Sequence, residues 1–584
     1  MREIKTEWDL EKYYFDSLVD ERIQEGIDKD LKKLEEYIVK YKGRIANLSP
    51  EEFLEFLQND SKLFTNMTKV HYYHSYLSTL NTQDQEVLKK SGEMSNLWAS
   101  VSESLLFLDE EYKEIGYDRF MEMSSMDMFR HYSNNLVQVA DGLKYMLSEA
   151  QEKNLIEINK VVSIFDDIYS ELTNSFDFDF RGEKKTKSEI YALRLSEDES
   201  IRKDANNSLL EKYAENKIVL GNLYKSVCKE NVARIKMRGL DGVMHMRNTS
   251  EQMEEDVVNT LLDTVKSNYH LYHKHLKNKA RMLGKEKLEL HDVLAPIPGE
   301  AKKTFSFEEG LELYLENVKK FDQEFYDYSV KIFEEGRVSV FPKQGKMGGA
   351  YASYNKDKES FVMLNHTEDF DSIMTLGHEI GHAIHGNLSQ VQVKSVYHSP
   401  LSLAETASIF NETLIFEEIM KGVSEEDREY YIMKNLDDMF STMFRQVMYV
   451  DFERECHQRT LDGEELSYDD FNQIWLEKTK DFFGDAVDVS DLAKHGWSVI
   501  PHIFHTPFYC YAYSFGNILS FNLYKMYKDS DDKEAFKNMY KGILRSGGSK
   551  RPKELLLENG IDISSAEFYT QAFKVIEEFI KMTE

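Results

Sequence analysis

The sequence predicts a mainly α-helical protein with one small β-sheet set into it. Three observations carry this expectation. Only eight prolines occur in 584 residues, and none lies between Pro50 and Pro296. That stretch is rich in Glu, Lys, Leu and Met, residues that lose little freedom on entering a helix. Between residues 336 and 366 the texture changes to short apolar runs separated by glycines, the pattern of brief strands and turns.

Taken in order, the segments Asp30 to Tyr41, Asp84 to Leu108 and Ser196 to Arg238 read as long helices. Ser49-Pro50-Glu51-Glu52 is a helix start, with Ser as cap, Pro in the first turn and Glu at the positive end. Phe176, Phe178 and Phe180 alternate with polar residues and lead into Arg181-Gly182, which suggests a short strand and a turn. A boundary is expected near residue 190, dividing an N-terminal helical domain (1–190) from a larger domain (191–584). Pro296, Pro298 and Gly299 predict a surface connection. Val338 to Phe341, Ala350 to Tyr354 and Phe361 to Leu364 supply the expected sheet, with Gly345, Gly348 and Gly349 between the first two.

Composition narrows the classes of function. A hydrophobic fraction of 41% and a charged fraction of 30% describe a globular chain with a sizeable core. The net charge of -31 argues against a nucleic-acid partner, which needs clustered Lys and Arg. The three cysteines, Cys228, Cys456 and Cys510, are odd in number and far apart, so no disulfide framework is expected and a reducing compartment fits. The N-terminus lacks the apolar core of a signal peptide, and no run approaches the roughly 18 apolar residues of a membrane span. A cytoplasmic location without membrane attachment is the expectation.

The decisive segment is Gly377-His378-Glu379-Ile380-Gly381-His382-Ala383-Ile384-His385-Gly386. Residues four apart share a helix face, so His378 and His382 can present two imidazoles to one ion. Glu379 stands about 100° around the helix, where its carboxylate can take a proton from water at that ion. The bland alternative is a surface helix with scattered histidines. Asp369 or Asp371 can cap the helix, and Gly386-Asn387 would stop it. Gly377 and Gly381 disfavour a helix, which points to close backbone approach there. His385 shares the face but is read as a local hydrogen-bonding residue.

Catalytic zinc usually takes three protein ligands. Glu405, in Ser402-Leu403-Ala404-Glu405-Thr406-Ala407-Ser408, is the candidate third, although Ser402 and Glu405 equally fit a capping box. Glu412 lies two turns on, roughly 10 Å along the axis, so both cannot hold one ion. Glu412 is expected to orient a histidine instead. Further on, two histidines and three tyrosines fall within Pro501 to Tyr513. Tyr509 and Tyr513, four apart, could share a helix face and donate to a developing oxyanion. Equally, they could be an aromatic core stripe.

Together these segments resemble oligoendopeptidase F, among the thimet oligopeptidase-like zinc peptidases. The likeness rests on Gly377 to His385, Ala404-Glu405-Thr406-Ala407-Ser408, Pro501-His502-Ile503-Phe504 and Pro507-Phe508-Tyr509, with Gly349-Ala350-Tyr351 and Trp8-Asp9-Leu10 also similar. It spans nearly the whole chain.

The resemblance implies a zincin with two helical lobes around a deep central channel, and one Zn2+ per chain at its floor. It implies that Glu405 completes a shell of His378, His382 and Glu405, and that Glu379 is the general base. His502, Tyr509 and Tyr513 are implied to stabilise the transition state. The substrates implied are short unstructured oligopeptides, paired as an added strand at Gly349, Ala350 and Tyr351. A third tyrosine of the thimet branch falls near Gly516 here, which leaves Tyr511 a weak substitute and the role of His505 open. An exopeptidase and a non-catalytic peptide-binding protein stay as alternatives.

Overall fold

The computed structural model describes residues 4–297 and 304–584. Helices dominate, as expected. Pro298 and Gly299, read as a surface connection, lie outside the described residues.

Local chemistry sets the helix starts. Ser49 accepts from the Glu52 amide while Glu52 reaches back to the Ser49 amide, so helix Pro50–Asp60 begins at a reciprocal capping box. The long helices are more interrupted than composition suggests. Asp84 caps Gln85–Ser104, which breaks at Leu105 before Phe107–Ile115. Asn216 separates Glu199–Glu215 from Lys217–Arg238. Phe178–Phe180 and Glu183–Lys185 form the expected hairpin, and both turn residues, Arg181 and Gly182, have positive φ (52° and 87°). Two-residue loops of that twist match the twist of paired strands.

The second expected sheet has three strands. Phe361–Met363 is central, parallel to Val338–Ser339 and antiparallel to Tyr351–Ser353. A further parallel pair joins Leu288–Glu289 to Val487–Asp488. The outer edge of Tyr351–Ser353 pairs with no other strand among the described residues. The chain start docks on this sheet: the Trp8 indole donates to the Val362 carbonyl at 2.8 Å, and the Val340 amide to the Thr6 carbonyl at 3.0 Å.

The largest apolar core runs from Tyr169 to Ile580 and contains the buried face of helix Phe370–Leu388. Two smaller cores lie in the N-terminal helices. One of them extends to Phe361, so the sheet contributes to two of the cores. Among the described residues no helix is long and apolar enough to cross a membrane.

Candidate active site

Helix Phe370–Leu388 carries His378, Glu379 and His382. Asp369 caps it, accepting from the Ser372 amide at 2.8 Å. Ile373, Ile380 and Ile384 bury the opposite face. The helix does not stop at Gly386-Asn387 but continues to Leu388. Gly386 is small for another reason: a Cβ there would stand 2.4 Å from the Tyr354 ring.

A second helical run crosses this one. Leu401–Ala404 ends at Glu405, and Thr406–Gly422 begins directly after it. The crossing depends on two glycines. A Cβ on Gly377 would meet Ile415 at 2.0 Å, and one on Gly381 would meet the Ala407 carbonyl oxygen and Ser408 Cα at 2.6 Å each. The Ser402–Glu405 capping box does not form. The Ser402 amide donates instead to Glu251 Oε2 at 3.0 Å, and the Ser402 hydroxyl is buried without a partner. Glu405 is thereby left at the junction of two helices, facing the histidines.

Glu405 Oε2 lies 3.4 Å from His378 Nε2 and 3.3 Å from His382 Nε2. All three candidate ligand atoms fall within 4.8 Å of one another. Atoms held at about 2.0–2.2 Å around a tetrahedral zinc stand roughly 3.3–3.6 Å apart, so the two Glu405–imidazole separations fit such an ion. His378 Nδ1 donates to Glu412 Oε2 at 3.1 Å, which leaves Nε2 turned towards Glu405. A contact of this kind would fix the imidazole of a candidate ligand. Ser408 Oγ donates to Glu405 Oε2 at 2.7 Å.

The electrostatics are those of a site short of positive charge. Burial opposes a charge on His378, yet Glu412, Glu405 and Glu379 hold its imidazole up at about 9. Burial likewise opposes ionisation of Glu405, but His382 and His378 hold its carboxyl at about 2. A proton and a divalent cation are therefore alternative ways to neutralise one cluster. Glu379 is buried, with Oε2 lacking a partner, and burial pushes its carboxyl up. His385 is buried, donates to the Ala404 carbonyl at 3.4 Å, and is pushed down to about 4 by burial. It braces the turn before Glu405.

His502, Tyr509 and Tyr513 come together. The His502 ring stacks on Tyr509 at 6.1 Å and meets Tyr513 edge-on at 6.3 Å, while the two tyrosine rings are 5.0 Å apart. Tyr513 lines the same cavity as His378 and Glu405. Burial raises both tyrosines, with the Glu405 charge adding to it, so both hydroxyls stay protonated donors. Tyr511 does not join them: it is fully buried and donates to Asn248 Oδ1 at 3.2 Å. His505 sits against Ser170, 3.3 Å from its hydroxyl. Gly516 could not be exchanged for a tyrosine here, because a Cβ would stand 2.8 Å from Glu405 Cβ.

Gly349 has φ +77°, and its carbonyl accepts from Asn365 at 2.8 Å. The Tyr351 hydroxyl is 2.8 Å from Thr79 Oγ1, and Ala350 packs against the core.

Several supporting residues gave no signal in the sequence. Arg247 lies over the Tyr509 ring at 5.6 Å and pairs with Glu251, which in turn holds Ser402. Phe508, just before Tyr509, has φ +61°, and its amide donates to the buried Glu453 at 2.8 Å. Such backbone strain in a non-glycine residue persists only where its surroundings enforce it.

A helix carrying His-Glu-x-x-His beside a third candidate ligand is an arrangement that metal-dependent peptidases use. The chain belongs to peptidase family M3, whose sequence model matches residues 192–575. It is 24% identical to the group B oligopeptidase PepB of Streptococcus agalactiae, covering 97% of this chain and 96% of that protein. It is 27% identical to an oligoendopeptidase F homolog of Borreliella burgdorferi, covering 88% and 87%. The crystal structure of oligoendopeptidase-F from Enterococcus faecium superposes with a TM-score of 0.73 at 21% identity, covering 96% of this chain and 98% of that one. The resemblance to oligoendopeptidase F and the mainly helical fold are borne out.

Proposed function

We propose that this peptidase is a zinc-dependent endopeptidase that cuts internal bonds of short, unstructured oligopeptides in the cytoplasm. His378, His382 and Glu405 would hold one zinc per chain. The observation that carries the reading is the pair of Glu405–imidazole separations, 3.3 and 3.4 Å, the edge lengths of a tetrahedral donor set. Zinc bound there supplies Lewis acidity, lowering the pKa of water towards about 7. Glu379 takes the proton from the attacking water and returns it to the leaving amine. Its partnerless, buried Oε2 suits a group that must accept and release a proton. The Tyr509 and Tyr513 hydroxyls and a His502 N–H donate to the carbonyl oxygen as negative charge grows there. The substrate backbone lies along the open edge of Tyr351–Ser353, beginning at Gly349 and Ala350. Such pairing reads main chain and tolerates many sequences. Three buried, unpaired cysteines accord with a reducing compartment.

The test uses peptides blocked at both ends. The parent should cut them and lose activity to a chelator. Glu379→Gln should keep one zinc per chain while cleavage falls by about 10²–10⁴-fold. Full activity in that variant, or blocked peptides left uncut by the parent, would overturn the reading.

A further inference from the structure

Beside the paired histidines a cavity of about 330 Å³ extends from His378, Glu405 and Tyr513. That volume is at the low end for ligand pockets, the scale of one side chain rather than of a peptide. Phe416, Phe521 and Phe579 give it apolar walls. Its carboxylates are Glu405, Glu412 and Asp438, its basic group is His378, and no Lys or Arg among the described residues lines it. Glu405 faces the two imidazoles and Glu412 is engaged by His378. Asp438 is not engaged. No hydrogen bond or ion pair to its carboxylate occurs among the described residues, and the cation one turn back, Lys434, binds Asp371 at 2.7 Å. Asp438 is itself exposed at that wall; desolvation by the protein packed around it, with Asp371, Asp437 and Glu412 nearby and Lys434 opposing them, pushes its carboxyl up to about 7. Lys434 acts on that carboxylate only from a distance, held by Asp371.

The backbone supplies a second observation. Directly after Glu425–Met439 the helix opens into a π turn, Phe440–Phe444, before resuming at Arg445. Thr442 on this turn lines the cavity, donates to the Asp438 carbonyl at 2.8 Å and lies 3.4 Å from Asn517 Oδ1. π turns within α-helices are frequently found at functional sites.

We propose that this cavity receives the substrate side chain next to the scissile bond, and that Asp438 makes it select lysine or arginine. The aliphatic stem packs on the phenylalanines while the cationic end meets the unpaired carboxylate. The inference rests on the endopeptidase reading above. Its edge-strand pairing accounts for tolerance along the peptide, and this pocket adds one discriminating position.

The experiment uses the zinc-loaded full chain and end-blocked peptides that differ only in one residue flanking the cut: Lys, Arg, norleucine or Glu, placed on each side in turn. On one side, Lys and Arg should exceed norleucine in kcat/KM by about 10–100-fold, and Glu should be poorest. Asp438→Asn should bring the Lys-to-norleucine ratio near unity, and Asp438→Lys should favour Glu. A parent that cuts the norleucine peptide as well as the Lys peptide overturns the inference alone. So does Asp438→Asn that keeps the Lys preference. Cleavage of no peptide by the zinc-loaded parent overturns both this inference and the endopeptidase reading.

Discussion

Replacing Gly381 with alanine exchanges a poor helix former for the best one, worth about 1 kcal/mol on an isolated helix. Here the added methyl would stand 2.6 Å from the Ala407 carbonyl oxygen and from Ser408 Cα. These are backbone atoms, so no rotamer change clears them. The contact is about 0.8 Å too short for ordinary packing, and the two helices must part by a similar distance. Overpacking of this kind costs about 1–3 kcal/mol, which cancels or exceeds the gain in propensity. The larger loss is functional. His378 and His382 ride on one helix and Glu405 begins the other, so the strain falls on the spacing of the three candidate ligand atoms. Misplacement approaching 1 Å costs about 10²-fold in rate. We expect kcat/KM on a blocked peptide to fall about 10²-fold, zinc affinity measured by chelator competition to weaken at least about 10-fold, and Tm not to rise. A variant with parental activity and zinc affinity and a higher Tm would refute the reasoning.

Glu412→Ala removes the acceptor of His378 Nδ1 and should weaken zinc binding by about 10–100-fold, while Glu412→Gln should recover part of it; unchanged affinity in the alanine variant would show that Glu412 does not orient the imidazole. The buried Glu453, pushed up to about 8 by burial, should make stability depend on pH. Its folded pKa lies above its unfolded one, so its contribution is complete below about 4.5 and is lost as pH rises through about 8. In denaturant unfolding, stability should therefore fall between pH 5 and 8.5 more steeply in the parent than in Glu453→Gln, and parallel curves would contradict this.

Features fixed by neighbours in the chain were legible in the sequence. The spacing of His378 and His382 is a property of helix geometry. The close approach at Gly377 and Gly381 showed as a cost that helix propensity could not explain. Features fixed by residues far away were not. Ser-x-x-Glu at 402–405 has the same spacing whether or not it caps, and Glu251, some 150 positions earlier, decides the matter by taking the Ser402 amide. Gly386 read as a helix stop because glycine marks ends, whereas the Tyr354 ring is what requires it. Arg247, Glu453 and Asp438 sit on helices whose periodicity says nothing of the distant loop or cavity they serve. The breaks at Leu105 and Asn216 left no proline or glycine to announce them.

Where the two helices touch through glycines, the backbones themselves set the gap between imidazoles and carboxylate before anything enters it. Backbone contact of this kind should make the seat stiff, and the surrounding core is built from apolar side chains packed on one another. Stripping the ion should thus leave a folded, reloadable protein, unlike small finger domains that unravel without their metal. A rigid seat also discriminates by shape: it suits a small ion content with four neighbours and serves poorly one that demands six oxygens.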